Sequence, residues 1–347
     1  MMRKRCFHRT RVVWCVLLGL LCIPVASARN SSIVKMATPA PDGSIWHQGL
    51  KEMGQQWSES TGGVVSLRIY AGGVAGDESA MVRKMGLGQL DAATLTVVGL
   101  AEIDPAFQVL GMPLFYESYE ELDHVLAALE PTLKRKLEAR GYIFLSWMYA
   151  GWAHFFSTEP VREVGDLKKL KIYTSAGEDR MVQLYKSNGF RPVALATTDI
   201  MVGLQTGMIE VLPAPPVGAL LLQWFRSAPY MLDEGLAPVV GCVVATRRGW
   251  SKIPADDQRR VLRAAERLGK RLRLDIPLQD EKSLAEMKTR GLTVTAIKKN
   301  KAEEWQLMVR SFADKMRGTL VPQEIFDLAL LARKEFRRQP ASVGGSD

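Results

Sequence analysis

Apolar and polar positions along this chain follow two rhythms, and the switches between them mark its elements. "SSIVKMAT", residues 31–38, reads as a strand. The next stretch, "DGSIWHQGLKEMGQQWSEST", spaces Ile45, Leu50, Met53 and Trp57 near one helical face. "GGVVSLRIYA" alternates as a strand, "DESAMVRKMGLGQ" follows as a helix with an acidic first turn, and "LDAATLTVV" returns to strand. This β-α-β-α-β order at short spacing predicts a mostly parallel sheet with helices on its faces, an α/β fold.

"YEELDHVLAALEPTLKRKLEARG" predicts a helical hairpin or a kinked helix, interrupted at Pro131, and "YIFLSWMYAG" is again a strand. A second block repeats the order: strand "LKIYT", helix "EDRMVQLYKSNG", strand "RPVALA", helix "TTDIMVGLQTG" with Thr198 or Asp199 as its cap, and strand "MIEVLPA". "VVGCVVAT", residues 239–246, has the unbroken apolar run of a fully buried central strand. From Pro254 to about Arg290 a long helix is expected, its stripe made by Val261, Ala265, Leu268 and Leu272. Its arginines are interleaved with Asp256, Asp257, Glu266 and Asp275, the pattern of a solvated helix face and not of a nucleic-acid surface.

The N-terminal segment changes the reading of composition. Residues 1–28 run from "MMRKRCFHRTR" through the apolar "VVWCVLLGLLCIPV" to "ASA", the basic, apolar, small-residue order of a cleavable secretory signal. The apolar run falls short of the roughly twenty residues a membrane span needs. Lipid attachment at Cys22 is disfavoured, because "GLLC" lacks a small residue before the cysteine. These residues carry five basic side chains and no acid, so removing them lowers the net charge from +9 to about +4. They also carry three of the four cysteines, leaving Cys242 in an apolar strand as a packing residue. The rest of the chain is expected to be a soluble periplasmic protein with two lobes, a cleft between them, and a frayed tail at 339–347.

Catalytic and metal signatures do not stand out. His47, His124 and His154 have no ligand-like spacing, and no H-E-x-x-H, cysteine pair or G-x-S-x-G elbow occurs. "AGGVAG" and "GLGQLD" do not complete a dinucleotide or phosphate loop. Glu178 and Asp179 suit a helix first turn. No cofactor or metal is implied, and the chain is read as a binding protein rather than an enzyme. Tyr173 ends the strand "LKIYT", where α/β proteins often place a ligand-contacting side chain.

Five segments in order carry a resemblance: "WSESTGGVVSLRIYAGGVAGDESAMVRKMGLGQLDAATLT", "PLFYESYEELDHVL", "EVGDLKKLKIYTS", "ATTDIMVGLQTGMIEVLPAPP" and "VVATRRGWSKIPADDQRRVL". The chain resembles the DctP-type solute-binding proteins of tripartite ATP-independent periplasmic (TRAP) transporters over about residues 33–290. The resemblance implies a two-lobed receptor that closes on a solute and delivers it to membrane permease subunits. Lobe I would take 29–151 and 239–277, lobe II 152–238 and 278–338, with the long helix crossing both.

This sequence departs from the family where the ligand sits. In such proteins "KIR" usually replaces "KIY", and the arginine clamps the solute carboxylate as a bidentate pair. Tyr173 stands there in this chain, Ala153 takes the place of a second frequent arginine, and Ala214 that of a polar residue. The expected solute is therefore hydrophobic or amphipathic. The expected cleft residues are Trp152, Ala153, Tyr173, Leu212, Pro213, Ala214 and Pro215 from lobe II, with Trp46, Thr96 and Val97 from lobe I. An auxiliary tetratricopeptide-repeat partner would suit an apolar solute. Two other readings are a periplasmic hydrolase or isomerase built on His154 and Glu210, and a scaffold that has lost its solute.

Overall fold

Residues 31–338 are described by the computed structural model; the expected signal segment 1–28 with Cys22 and the expected tail 339–347 lie outside them. The chain runs β1 (Ser32–Ala37), α1 (Ile45–Ser60), β2 (Val65–Tyr70), α2 (Glu78–Gly86), β3 (Ala92–Thr96) and α3 (Val97–Ile103). After a 3-10 turn at Pro105–Gly111 come α4 (Tyr119–Ala139), β4 (Tyr142–Ser157), α5 (Val164–Lys169), β5 (Lys171–Ser175), α6 (Asp179–Ser187) and β6 (Arg191–Leu195). Then follow α7 (Ile200–Gln205), β7 (Val211–Ala214), α8 (Pro216–Leu221), β8 (Tyr230–Leu232), β9 (Ala237–Thr246) and α9 (Arg247–Ser251). The chain continues with α10 (Ala255–Thr289), β10 (Thr293–Thr295), α11 (Ala302–Met316) and α12 (Gln323–Arg338).

The main path of the sheet is β2-β1-β3-β9-β4-β7-β5-β6, with β8 pairing β4 and β10 pairing β8. Both blocks expected to be parallel are so: β1 with β2 and β3, and β5 with β6 and β7. The sheet as a whole is mixed, because β9 runs antiparallel to both β3 and β4, and β4 antiparallel to β7. A fully apolar strand carries no signal for its direction, so the expectation of a mostly parallel sheet fails at β9. Sixteen-residue β4 belongs to both halves: Tyr142 to Ala153 pair with β9, and His154 to Ser157 with β7. Its register with β9 shifts between Tyr149 and Gly151, whose φ is +118° and whose added Cβ would lie 2.4 Å from Pro215 Cβ. Only glycine fits that position.

Two helices are longer than their prolines suggest. α4 is one continuous helix through Pro131, not a hairpin. Its buried stripe of Leu122, Val125, Leu126, Leu129, Leu133 and Leu137 continues on both sides of the proline, and that packing outweighs one lost hydrogen bond. α10 spans 35 residues and contains Pro277. Its first part packs Val261, Ala265, Leu268 and Leu272 with Leu50, Met53 and Trp57 of α1. Past Pro277, Asp280 accepts hydrogen bonds from Trp152 N at 3.1 Å and Val217 N at 3.0 Å, tying α10 to β4 and α8. Burial pushes the Asp280 carboxyl up to about 6.

The grouping of 278–338 with lobe II does not describe α12. Arg337 of that helix pairs with Glu121 of α4, and Arg333 lies 4.0 Å over the ring of Phe115. The apolar face of α12, with Ile325, Phe326, Ala329 and Ala332, packs in the cluster that holds the α4 stripe. The cap expected at Thr198 or Asp199 is also absent: a 3-10 turn at Thr197–Asp199 precedes α7, and Asp199 makes no side-chain capping bond.

Candidate functional site

A cavity of about 330 Å³ lies between the two halves of the sheet, where the ends of β3, β5 and β7 meet β4 and the start of β9. Seven of the ten expected residues line it: Thr96, Val97, Ala153, Tyr173, Pro213, Ala214 and Pro215. Ala153, Tyr173 and Ala214, the three positions that the resemblance marks as departures, therefore share one space. Trp46 lines an adjoining cavity of about 170 Å³ that shares Pro39, Thr96, Pro215 and Trp224 with the first. Its indole N–H donates to Tyr149 O at 3.0 Å.

Two expected residues do not reach the cavity. Leu212 is fully buried and packs with Phe156, Ile209 and Met231, below Ala214 on the same strand. Trp152 is the neighbour of Ala153 on β4, and successive strand residues face opposite ways. With Ala153 in the cavity, the indole of Trp152 instead meets Tyr119 edge-on at 5.2 Å and covers Gly235.

Sequence reasoning missed the polar part of the wall. Glu78, at the start of α2, sends its carboxylate to the N-terminus of α3. It accepts from Thr96 N and Thr96 Oγ1, both at 2.7 Å, and from Gly99 N at 3.0 Å. A Cβ on Gly99 would stand 2.7 Å from that carboxylate, so the close approach requires glycine. Burial pushes Glu78 up to about 7 despite these donors. Glu178 stands at the N-cap position of α6 yet makes no capping bond to it. Its carboxyl is raised by burial, partly offset by hydrogen bonding from Ser175 and Gln108. Both acids line the cavity. Each lies at a helix start, and a favourable helix dipole was sufficient to explain them in sequence.

Tyr173 joins the two. Its hydroxyl reaches Ser175 Oγ at 3.4 Å and Thr197 Oγ1 at 3.3 Å, long contacts for a hydroxyl pair. Burial raises the phenol, and Glu178 and Glu78 raise it further. Opposite these groups the wall is Pro39, Val97, Pro113, Ala153, Leu236 and Trp224 in character, apolar surface with few donors. Among the described residues no lysine, arginine or histidine lines the cavity. Arg162 and Arg180, the arginines nearest Tyr173 in sequence, are both exposed.

The pair considered for catalysis is not assembled. His154 Nδ1 sits 3.1 Å from Leu232 O and burial lowers its basicity, while the Glu210 carboxylate accepts from Lys171 N at 2.9 Å. Neither lines the cavity.

The family model described as bacterial extracellular solute-binding protein, family 7 (DctP), matches residues 36–319. The chain belongs to this family. Relatives include YiiZ of Salmonella typhimurium, 26% identical over 196 residues that cover 55% of this chain and 56% of that protein. The sialic acid-binding periplasmic protein SiaP of Vibrio cholerae is 20% identical over 272 residues, covering 78% of this chain and 84% of that one. Among solved structures, a TRAP periplasmic solute-binding protein of Pseudomonas putida F1 with bound D-glucuronate superposes with a TM-score of 0.78 at 21% identity. That match covers 89% of this chain and 98% of the other. The fold of this DctP-family chain is thus the two-lobed TRAP receptor fold, and members of the family are solute receptors, not enzymes. Among the described residues no helix is long and apolar enough to cross a membrane.

Proposed function

We propose that this DctP-family protein is the extracytoplasmic receptor of a TRAP-type transporter for a solute with a largely apolar body, which it hands to membrane permease subunits. One observation carries the reading: the cavity in the receptor cleft has apolar walls and two carboxylates, and among the described residues no cationic side chain lines it. A solute carboxylate buried there would lose its hydration and gain no bidentate partner, a cost of several kcal/mol. It would also face Glu78 and Glu178, whose own carboxyls are already raised by burial. The relatives named for sialic acid and D-glucuronate bind acids. This chain has Tyr173 where the family pattern has the clamp. The adjoining cavity, sharing Pro215 and Trp224, gives an apolar body room to extend toward Trp46.

In this reading Gly151 and the start of β9 form the seam between the lobes, and Asp280 holds α10 to β4 and α8 beside it. The direct test is mass spectrometry of the solute released when protein isolated from the periplasm is denatured. A molecule that is mostly hydrocarbon is expected, and a released sugar acid or dicarboxylate would refute the reading. By calorimetry, sialic acid, D-glucuronate and succinate are each expected to bind more weakly than about 1 mM, near −4 kcal/mol. Micromolar binding of any one would show that the cleft holds a carboxylate by other means.

A further inference from the structure

The polar end of the cavity is acidic, and among the described residues no lysine, arginine or histidine lines it. Glu78, Glu178 and the hydroxyl of Tyr173 interact with one another electrostatically across the space where the lobes meet. Helix capping does not account for Glu178, which makes no side-chain capping bond to α6. Its hydrogen-bonding partners Ser175 and Gln108 are neutral, and Glu102 adds a further negative charge nearby. Tyr173 is buried, with 7% of its surface exposed, and its hydroxyl has only contacts of 3.3 and 3.4 Å. A phenol held that loosely in a buried position has hydrogen-bonding capacity left for a ligand.

We propose that this end of the cavity takes the head of an organic cation, a protonated amine or a quaternary ammonium, carried on the apolar body inferred above. The inference rests on the receptor reading and adds the charge of the solute. An ammonium between Glu78 and Glu178 relieves the repulsion of two desolvated carboxylates. The rings of Tyr173 and Trp224 supply the aromatic surface that attracts such a cation. A bare metal ion fits poorly. Calcium asks for six to eight oxygen ligands, and among the described residues no group of three or more His, Cys, Asp or Glu could hold a metal. A neutral alcohol could donate to one carboxylate but would leave the charge of both in place.

The test is a calorimetric series on the exhaustively dialysed protein with four probes that share one ring and differ in the head: benzylamine, benzyltrimethylammonium, benzyl alcohol and benzoate. At pH 8 at least one of the two cations is expected to bind tenfold or more tighter than the alcohol, with benzoate weakest. That step is about 1.4 kcal/mol. Which cation leads separates an ammonium that donates hydrogen bonds from one held by charge and rings alone. Glu178→Gln, which keeps the shape and removes the charge, is expected to lower cation affinity about tenfold and to change benzyl alcohol affinity by much less. Glu78→Gln is the second variant, with its melting temperature recorded because Glu78 also holds the start of α3.

The pH dependence has a definite sign. Glu78 is pushed up to about 7, facing Glu178 and Tyr173, with Glu102 near Glu178. A bound cation favours the ionised carboxylate and lowers that value. Cation affinity is therefore fully present above about pH 7 and falls as pH drops below it. Equal or tighter binding of benzoate or benzyl alcohol would overturn the cationic head and leave a receptor for a solute of another charge. Absence of binding by all four probes would also overturn it. The solute released from the periplasmic protein then decides separately whether the receptor reading stands.

Discussion

Tyr173→Arg, which puts an arginine where the family resemblance places the clamp, is expected to lower affinity for the native solute roughly a hundredfold, about 3 kcal/mol. The fold should survive. Tyr173 sits at the end of β5, its ring packed with Val193 and Ile200 and its hydroxyl toward Ser175, Thr197 and the two glutamates. An arginine of similar reach places its guanidinium beside Glu78 and Glu178, and those carboxylates offset its desolvation. Stability should fall by only about 1–2 kcal/mol, the packing lost with the ring. The solute, however, meets a filled and charged pocket in place of a phenol. The variant is not expected to become an acid receptor, because its arginine is already paired with protein carboxylates. Tyr173→Phe is the contrast. It removes a hydroxyl with long contacts only, so stability should move by less than about 1 kcal/mol. Titration of the released solute against both variants decides the matter. Unchanged affinity in Tyr173→Arg would mean that the solute does not approach Tyr173.

Much of this architecture was legible because its elements obey simple periodicities. The strands β1 to β3 and helices α1 and α2 alternate at spacings that single residues such as Met53 and Trp57 make plain. Where a pattern lacks a direction, the sequence was silent. Nothing in "VVGCVVAT" says that β9 lies antiparallel to both neighbours. α4 was obscured by the opposite problem, a strong local breaker at Pro131 overruled by a buried stripe. Within the site, Ala153, Tyr173 and Ala214 were placed by family position and do share the cavity. Trp152 was misplaced because β4 is irregular between Tyr149 and Gly151, and the alternation that should have chosen between Trp152 and Ala153 is shifted there. The acids escaped notice for a different reason. Residues at a helix start already have a favourable local role, and only tertiary structure shows that Glu78 reaches across to α3 and that Glu178 leaves α6 uncapped.

Gly241→Ala is expected to be the most damaging small substitution in the chain, with a loss of about 4 kcal/mol or more, or no folded protein at all. Gly241 lies on β9 opposite Thr96 of β3, where Gly241 is buried and Thr96 half-buried. A Cβ at this position would stand 1.9 Å from the carbonyl oxygen of Leu95 and 2.8 Å from its carbon. These are backbone atoms in a paired strand, so no side-chain rotation can relieve the contact. The two strands must separate, and the displaced residue is Thr96, which holds Glu78 at the edge of the cavity. Folding and the acidic end of the site therefore depend on the same missing methyl. Gly86→Ala supplies the internal control: it lies in α2, its added Cβ meets nothing within 4 Å, and it should stabilise by up to about 1 kcal/mol. Urea unfolding of the three proteins, read as midpoint and slope, measures both effects. A Gly241→Ala protein with the midpoint of its parent would mean that β3 and β9 are not paired as closely as this register places them.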